Sequence, residues 1–212
     1  MTQVPIYRRP LRYLYYNATL VLIVINVAIF LLTLLFPRIM AYLALTPYLV
    51  VQAHALWQPF TYMFEHASVL HILFNMLALF IFGTPLEHRL GSPEFLLYYL
   101  LTGFGAGLAT LGINWYAGLG AVPVVGASGA IFALLLAYAT LYPDARLFIF
   151  GILPLRAPVA VLLFAALALI FQFTGVNSGV AHLTHLAGLV FGYLYFLIRQ
   201  GINPIRVFFR GR

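Results

Sequence analysis

The stretch 124-VVGASGAIFALLLAYA-139 (Val124–Ala139) carries no charge over sixteen residues and opens on a serine set between small residues. A helix that is apolar all round has no face to give to water and belongs in a protein interior or a bilayer. Gly129, Ala133 and Ala137 recur at every fourth position, which makes a ridge of small side chains along one helix face. Such a ridge lets a second helix approach closely within lipid. Ser128 falls in the first turn, where backbone N–H groups have no partner inside the helix and the positive end of the dipole lies. That setting favours an alkoxide or a nearby oxyanion. Two readings of Ser128 therefore stand: a packing residue, or a nucleophile inside a membrane.

Working outward, the rest of the chain is of the same kind. Of its 212 residues, 64% are hydrophobic and 7% are charged. A soluble domain of this size cannot hide so much apolar surface. A span needs roughly 20 apolar residues, and six segments qualify: residues 17–36, 68–83, 95–113, 126–141, 159–173 and 180–198. The first has no small-residue cleavage site and is too long to read as a signal peptide. Residues 37–67 form a long, Pro-bearing, apolar connection expected at the interface. The segment "TPLEHRLGSPE" is expected to be a polar break, "NWYAGLGAVP" a turn region, and "YPDARLFIFGILPLRAP" a break with an ambiguous apolar middle. The whole reads as one membrane domain: a basic N-terminus (1–16), a core (17–199) and a basic tail (200–212).

Six spans put both ends on one side, and the arginines agree. Arg8, Arg9, Arg12, Arg89, Arg146, Arg156, Arg199, Arg206, Arg210 and Arg212 fall on one face, with only Arg38 on the other. The positive-inside rule makes the arginine-rich face, and both termini, cytoplasmic. The net charge of +7 is thereby explained by topology, and no nucleic-acid partner is expected. Cysteine is absent, which removes disulfides, thiolate nucleophiles and thiolate metal sites together. Lysine is absent too, and nothing in the sequence explains it.

Polar groups inside spans are costly and mark functional sites. His71 and Asn75 in "HILFN" share a helix face and can both donate hydrogen bonds, either as glue between helices or to a ligand. In "AHLTHLAGLVFG", His185 shares its face with Gly188 and Gly192, and that bare face is expected to meet the small ridge around Ser128. His182, one turn earlier, is expected at the mouth of the site or as a cap at the helix start. Two histidines three apart can ligate a metal, but no acid or cysteine lies near to complete a set, and no metal or other cofactor is expected. The parts suit acyl transfer: a serine, an imidazole to take its proton, and donors for the oxyanion. Asp144 and the three glutamates are all expected in loops. Any mechanism is therefore a Ser–His dyad without a third member.

At these residues the chain resembles the rhomboid family of intramembrane serine proteases. "HILFN", "GASGA" and "THLAGLVFG" occur in that family's order, and "LEHRLG" resembles its acidic turn after helix two, with Glu87, Arg89 and Gly91. The resemblance implies Ser128 as nucleophile, His185 as base, and His71, Asn75 and the Ser128 N–H as oxyanion donors. It implies Phe132 packing on the histidine, against a plain core or lipid-facing phenylalanine. Gly126 is expected beside the oxyanion site or as a simple helix cap. His66 falls near the same region, and no role is assigned to it. Thr184 stands where the family usually has alanine. Gln58 in "WQPFT" stands where it has a structural arginine, so the anchoring of the first loop is the expected departure.

The fold implied is an all-α, six-transmembrane-helix rhomboid-like bundle, multi-pass, in a plasma (inner) membrane with the site opening to the outer side. A short fourth helix would leave Ser128 at the floor of a water-filled cavity. The partners implied are transmembrane protein substrates and the lipid bilayer; oligomeric state is not specified. Two other classes stay open: an inactive membrane-protein binder on the same scaffold, and a small transporter or channel using the histidines as a proton path.

Overall fold

The computed structural model describes residues 11–149, 151–174 and 182–209. The expected start of the sixth span and the basic residues Arg8, Arg9, Arg210 and Arg212 lie outside them. Helix α1 (Ala18–Leu35) is followed by three short helices, α2 (Arg38–Leu43), α3 (Pro47–Gln52) and α4 (Gln58–Thr61), and a single 3-10 turn at Tyr62–Phe64. Helix α5 (Val69–Ala78) runs through a π-turn at Leu79–Gly83 into α6 (Thr84–Leu90). Then come α7 (Ser92–Tyr116), α8 (Ser128–Leu141), strands β1 (Arg146–Ile149) and β2 (Leu153–Arg156), α9 (Ala157–Thr174), α10 (His182–Tyr195) with a π-turn to Gln200, and α11 (Pro204–Phe208).

Among the described residues, four helices are long and apolar enough to cross a membrane: Ala18–Leu35, the continuous Val69–Leu90, Ser92–Tyr116 and Ala157–Thr174. Ser128–Leu141 is apolar but shorter. The protein is thus a mostly helical, multi-pass membrane protein. Helix α8 lies at its centre, packed against α7, α9 and α10, and its residues from Gly129 to Leu141 are almost all buried.

Three sequence expectations need correction. The polar break after Gly83 is helical: Pro85 follows directly on the π-turn at Leu79–Gly83, where the regular hydrogen-bond ladder is already interrupted. The only break is Gly91, whose φ of 86° suits a residue without a Cβ. Glu87 and Glu94 accordingly lie in helices, not loops, and both are buried. The fold is also not wholly helical. The ambiguous stretch after α8 forms a two-stranded antiparallel hairpin, with Arg146 opposite Arg156 and Ile149 opposite Leu153. Gly151, at φ 73°, provides the left-handed turn residue between them.

The buried glutamates join helices. Glu87 accepts hydrogen bonds from the Ala18 and Thr19 N–H groups (2.6 and 2.9 Å) and from the Ser92 hydroxyl (2.5 Å). One carboxylate thus serves the free donors at the start of α1 and the negative-charge preference of a helix N-terminus. Glu94 accepts from Tyr195 (2.5 Å), from Arg199 Nε and Nη2 (2.9 and 3.1 Å) and from Gln200 (2.7 Å), fastening the end of α10 to the start of α7. At the other end of α1, Thr33 donates to Glu65 at 2.8 Å.

The first loop is anchored without the arginine. Gln58 is buried; its Oε1 accepts from the Thr46 N–H at 3.0 Å, and its Nε2 donates to the Ala41 and Tyr42 carbonyls at 3.3 Å. Trp57 donates to the same Tyr42 carbonyl at 2.9 Å and stacks on the Tyr42 ring. A neutral amide supplies donors and an acceptor where a guanidinium supplies donors alone. Gln58→Ala would strand the Thr46 N–H and is expected to cost about 1–3 kcal/mol, read as a lower unfolding temperature in detergent with helix content unchanged in the native state.

Candidate active site

Ser128 is the first residue of α8, capped by Ala127, and the first intrahelical bond is Ile131 N–H to the Ala127 carbonyl at 3.0 Å. The N–H groups of Ser128, Gly129 and Ala130 are therefore those left without an intrahelical acceptor. The approach to the serine is held from two sides. Val124 exchanges two backbone hydrogen bonds of 2.9 Å with Leu45, and the Gly126 N–H donates to the Tyr62 carbonyl at 2.9 Å. Tyr62 is itself fixed by donating to the Gly103 carbonyl of α7 at 2.7 Å.

Helix α10 brings the imidazole. His185 Nε2 lies 2.8 Å from Ser128 Oγ, although the two residues are 57 apart in the chain. The approach depends on glycine. A Cβ built on Gly188 would fall 2.0 Å from the Gly129 carbonyl oxygen, and one on Gly192 would meet the Tyr98 hydroxyl at 2.7 Å and the Ala133 Cβ at 3.1 Å. Phe132, one turn into α8, stacks on the His185 ring with centroids 4.3 Å apart and planes 8° from parallel. Of the two readings for Phe132, the structure places it on the histidine. Ser128 and His185 are both half-buried, so neither is sealed in the core.

His71 and Asn75 come from α5. The Ser68 hydroxyl caps this helix by accepting from the His71 N–H at 3.2 Å. Asn75 is buried and its Nδ2 donates to the His71 carbonyl at 2.8 Å. The Ala67 N–H points at His71 Nδ1 over a long 3.5 Å, which leaves Nε2 to carry the ring proton. That Nε2 faces Gly126: a Cβ there would lie 2.7 Å from it and 3.8 Å from Ser128 Oγ. Gly126 also has φ 120°, a conformation open to glycine and strained for other residues. It is not the helix cap; it keeps open the space between His71 and Ser128. The site so assembled contains a hydroxyl at a helix N-terminus, an imidazole within hydrogen-bond reach of it, and the ring of His71 across Gly126 from it.

Other residues take places that the sequence did not indicate. His182 is buried, with its ring 5.6 Å from Phe171 and 6.1 Å from His185, instead of lining an open mouth. His66 is buried edge-on against His71, with centroids 5.1 Å apart. Burial first, and the nearby His71 second, push its pKa down to about 3, so it stays neutral. Thr184 bonds the Thr110 hydroxyl of α7 at 2.8 Å, and Thr110 is the partner that a reading of single motifs could not find. Among the described residues no group of three or more His, Cys, Asp or Glu side chains is placed to hold a metal ion.

The Rhomboid domain family model matches residues 53–201, so the chain belongs to the rhomboid family. It is 30% identical over 185 residues to the rhomboid protease GlpG of Pectobacterium atrosepticum, covering 83% of this chain and 60% of that protein. It is 33% identical over 138 residues to the putative rhomboid protease YdcA of Bacillus subtilis (65% and 64% covered). To the mitochondrial rhomboid protein 1 of Saccharomyces cerevisiae it is 32% identical over 137 residues (62% and 38%). The chain spans less than two thirds of the length of these relatives.

Gly188→Ala should force α10 off α8 at the crossing. Overpacking of this kind costs roughly 1–3 kcal/mol. The expected outcome is a lower unfolding temperature together with a Ser128–His185 separation beyond hydrogen-bond distance in a crystal structure of the variant.

Proposed function

We propose that this protein is an intramembrane serine endopeptidase that cleaves transmembrane segments of other membrane proteins. The observation that carries the reading is the 2.8 Å contact between Ser128 Oγ and His185 Nε2 in a chain of the rhomboid family. In this proposal Ser128 Oγ attacks the scissile carbonyl carbon and its proton passes to His185 Nε2. The oxyanion is held by the Ser128 N–H, His71 Nε2 and Asn75. His185 then protonates the leaving amine, which departs and leaves an acyl-serine. Water attacks the acyl group, gives its proton to His185, and the serine hydroxyl is restored. Phe132, stacked on the imidazole, keeps its plane in place of a third, acidic member.

The topology proposed with it has six spans, α10 with its π-turn being the sixth, within a single domain of basic N-terminus, core and basic tail. Both termini lie on the arginine-rich, cytoplasmic face, and the site opens to the outer side of a plasma membrane. Helix α8, at 14 residues, is about 21 Å long against a hydrocarbon core of about 30 Å. That shortfall supports a water-filled approach to Ser128 from the outer side.

Purified protein in lipid vesicles is expected to cut a model transmembrane substrate, and Ser128→Ala and His185→Ala each to abolish cutting. A fluorophosphonate should label the wild type and fail on Ser128→Ala. Substrate retained by the wild type without cleavage or labelling would favour the inactive binder, and ion flux surviving Ser128→Ala a transporter; either result would overturn the protease.

A further inference from the structure

The hairpin formed by β1 and β2 takes no part in the site described above. It joins the end of α8 opposite Ser128 to the start of α9, and so lies at the other membrane surface. The register puts Leu147 opposite Leu155 and Ile149 opposite Leu153 on one face, and Arg146, Phe148, Pro154 and Arg156 together on the other. The first face is covered at its base, where Leu147 packs on the cluster of Leu135, Ala145, Ala157 and Val161, and opens towards the turn at Leu153. The second is open, and the turn beyond it is open too. Phe148 is 62% exposed, Ile152 83% and Leu153 54%. Two paired strands of four residues are marginal without something to pack on. Like charges directly opposite each other, as Arg146 and Arg156 are, weaken the pair further. Arg156 pairs with Asp144 at 2.7 Å.

We propose that this hairpin is a lipid-binding anchor, in which Phe148, Ile152 and Leu153 enter the leaflet opposite the Ser128 face while Arg146 and Arg156 engage anionic phospholipid headgroups. Apolar tip and cationic base follow in the order that acyl boundary and headgroup layer require of an interfacial element. Anionic phosphates between the two arginines remove the repulsion that the register creates. Charge of the same sign continues along this surface in Arg206 of α11, whose neighbours Ile205 and Phe209 are also exposed. Phe208 of that helix shares the cluster on which Leu147 sits, so the two elements are adjacent. A protein partner would instead cover the tip and exclude lipid from it, and the test separates the two. The inference rests on the membrane-spanning character of the chain and not on its being a protease.

The chain has no cysteine, so single nitroxide labels can be placed directly. Ile152→Cys and Phe148→Cys would be labelled in the full-length protein, with Leu162→Cys in α9 as the lipid-facing reference. Collision of each label with oxygen, and with a water-soluble nickel chelate, would be measured in phosphatidylcholine vesicles with and without phosphatidylglycerol. The expected result is an oxygen-rich, nickel-poor environment at positions 148 and 152, deeper when phosphatidylglycerol is present. Each arginine facing an anionic surface contributes about a fivefold partition factor. Arg146→Gln should therefore lower the ratio of inserted to exposed label about fivefold in the mixed vesicles and leave it unchanged in phosphatidylcholine alone. Nickel access at position 152 equal to that of a free label, or shielding from both reagents, would overturn the anchor. Insertion indifferent to phosphatidylglycerol and to Arg146→Gln would overturn the role of the headgroups.

Discussion

Helices α8 and α10 touch backbone to backbone, because Gly188 and Gly129 leave nothing between them. In lipid there is no hydrophobic force to drive one apolar helix onto another, so contact must come from close van der Waals packing and hydrogen bonds. The glycine crossing supplies the first, and the Thr184–Thr110 bond to α7 the second. From this crossing the rest follows by helical geometry. His185 lies one turn before Gly188, Ser128 is adjacent to Gly129, and Phe132 is the next side chain along to meet the imidazole.

Around that crossing, buried polar side chains fasten helix ends and loops. Glu94 gathers Tyr195, Arg199 and Gln200 where α10 leaves the bundle, about 15 Å along the helix from His185. Its carboxylate therefore fixes the far end of the same helix whose near end carries the imidazole. Gln58 and Tyr62 do comparable work elsewhere, one holding the first loop and one holding the segment that leads to Ser128. Glu87 and Gln58 are matched to backbone groups that would otherwise be orphaned at a helix terminus or in a loop.

Much of this could be read from spacing alone. Helical periodicity put Gly188 and Gly192 on the face of His185, and Gly129 and Ala133 on one face of α8, so the crossing was legible. So was the pairing of His71 with Asn75. What escaped was anything that depends on partners distant in sequence. Glu87 and Glu94 looked like loop residues because a charge in an apolar chain reads as a break. They are helical because α1 and α10 bring donors that no local window contains. Gln58 looked like a loss because its value lies in three backbone groups of the preceding loop. The hairpin escaped because a short apolar run between turn residues has the same composition whether it is strand or helix.

Helix α1 lies outside the span of the family match, and most of its surface is turned outward. It is nonetheless fastened near both ends, by Glu87 at Ala18 and Thr19 and by Glu65 at Thr33. Those two carboxylates are bridged by 15 helical steps, or about 22 Å. A helix pinned at two heights cannot slide along its axis or lean on its own. Helices usually meet a bilayer thicker or thinner than themselves by changing their individual tilt. Here α1 must lean together with α5 and α6 or not at all, so a mismatched bilayer has to thin, thicken or rock the whole protein as one rigid piece.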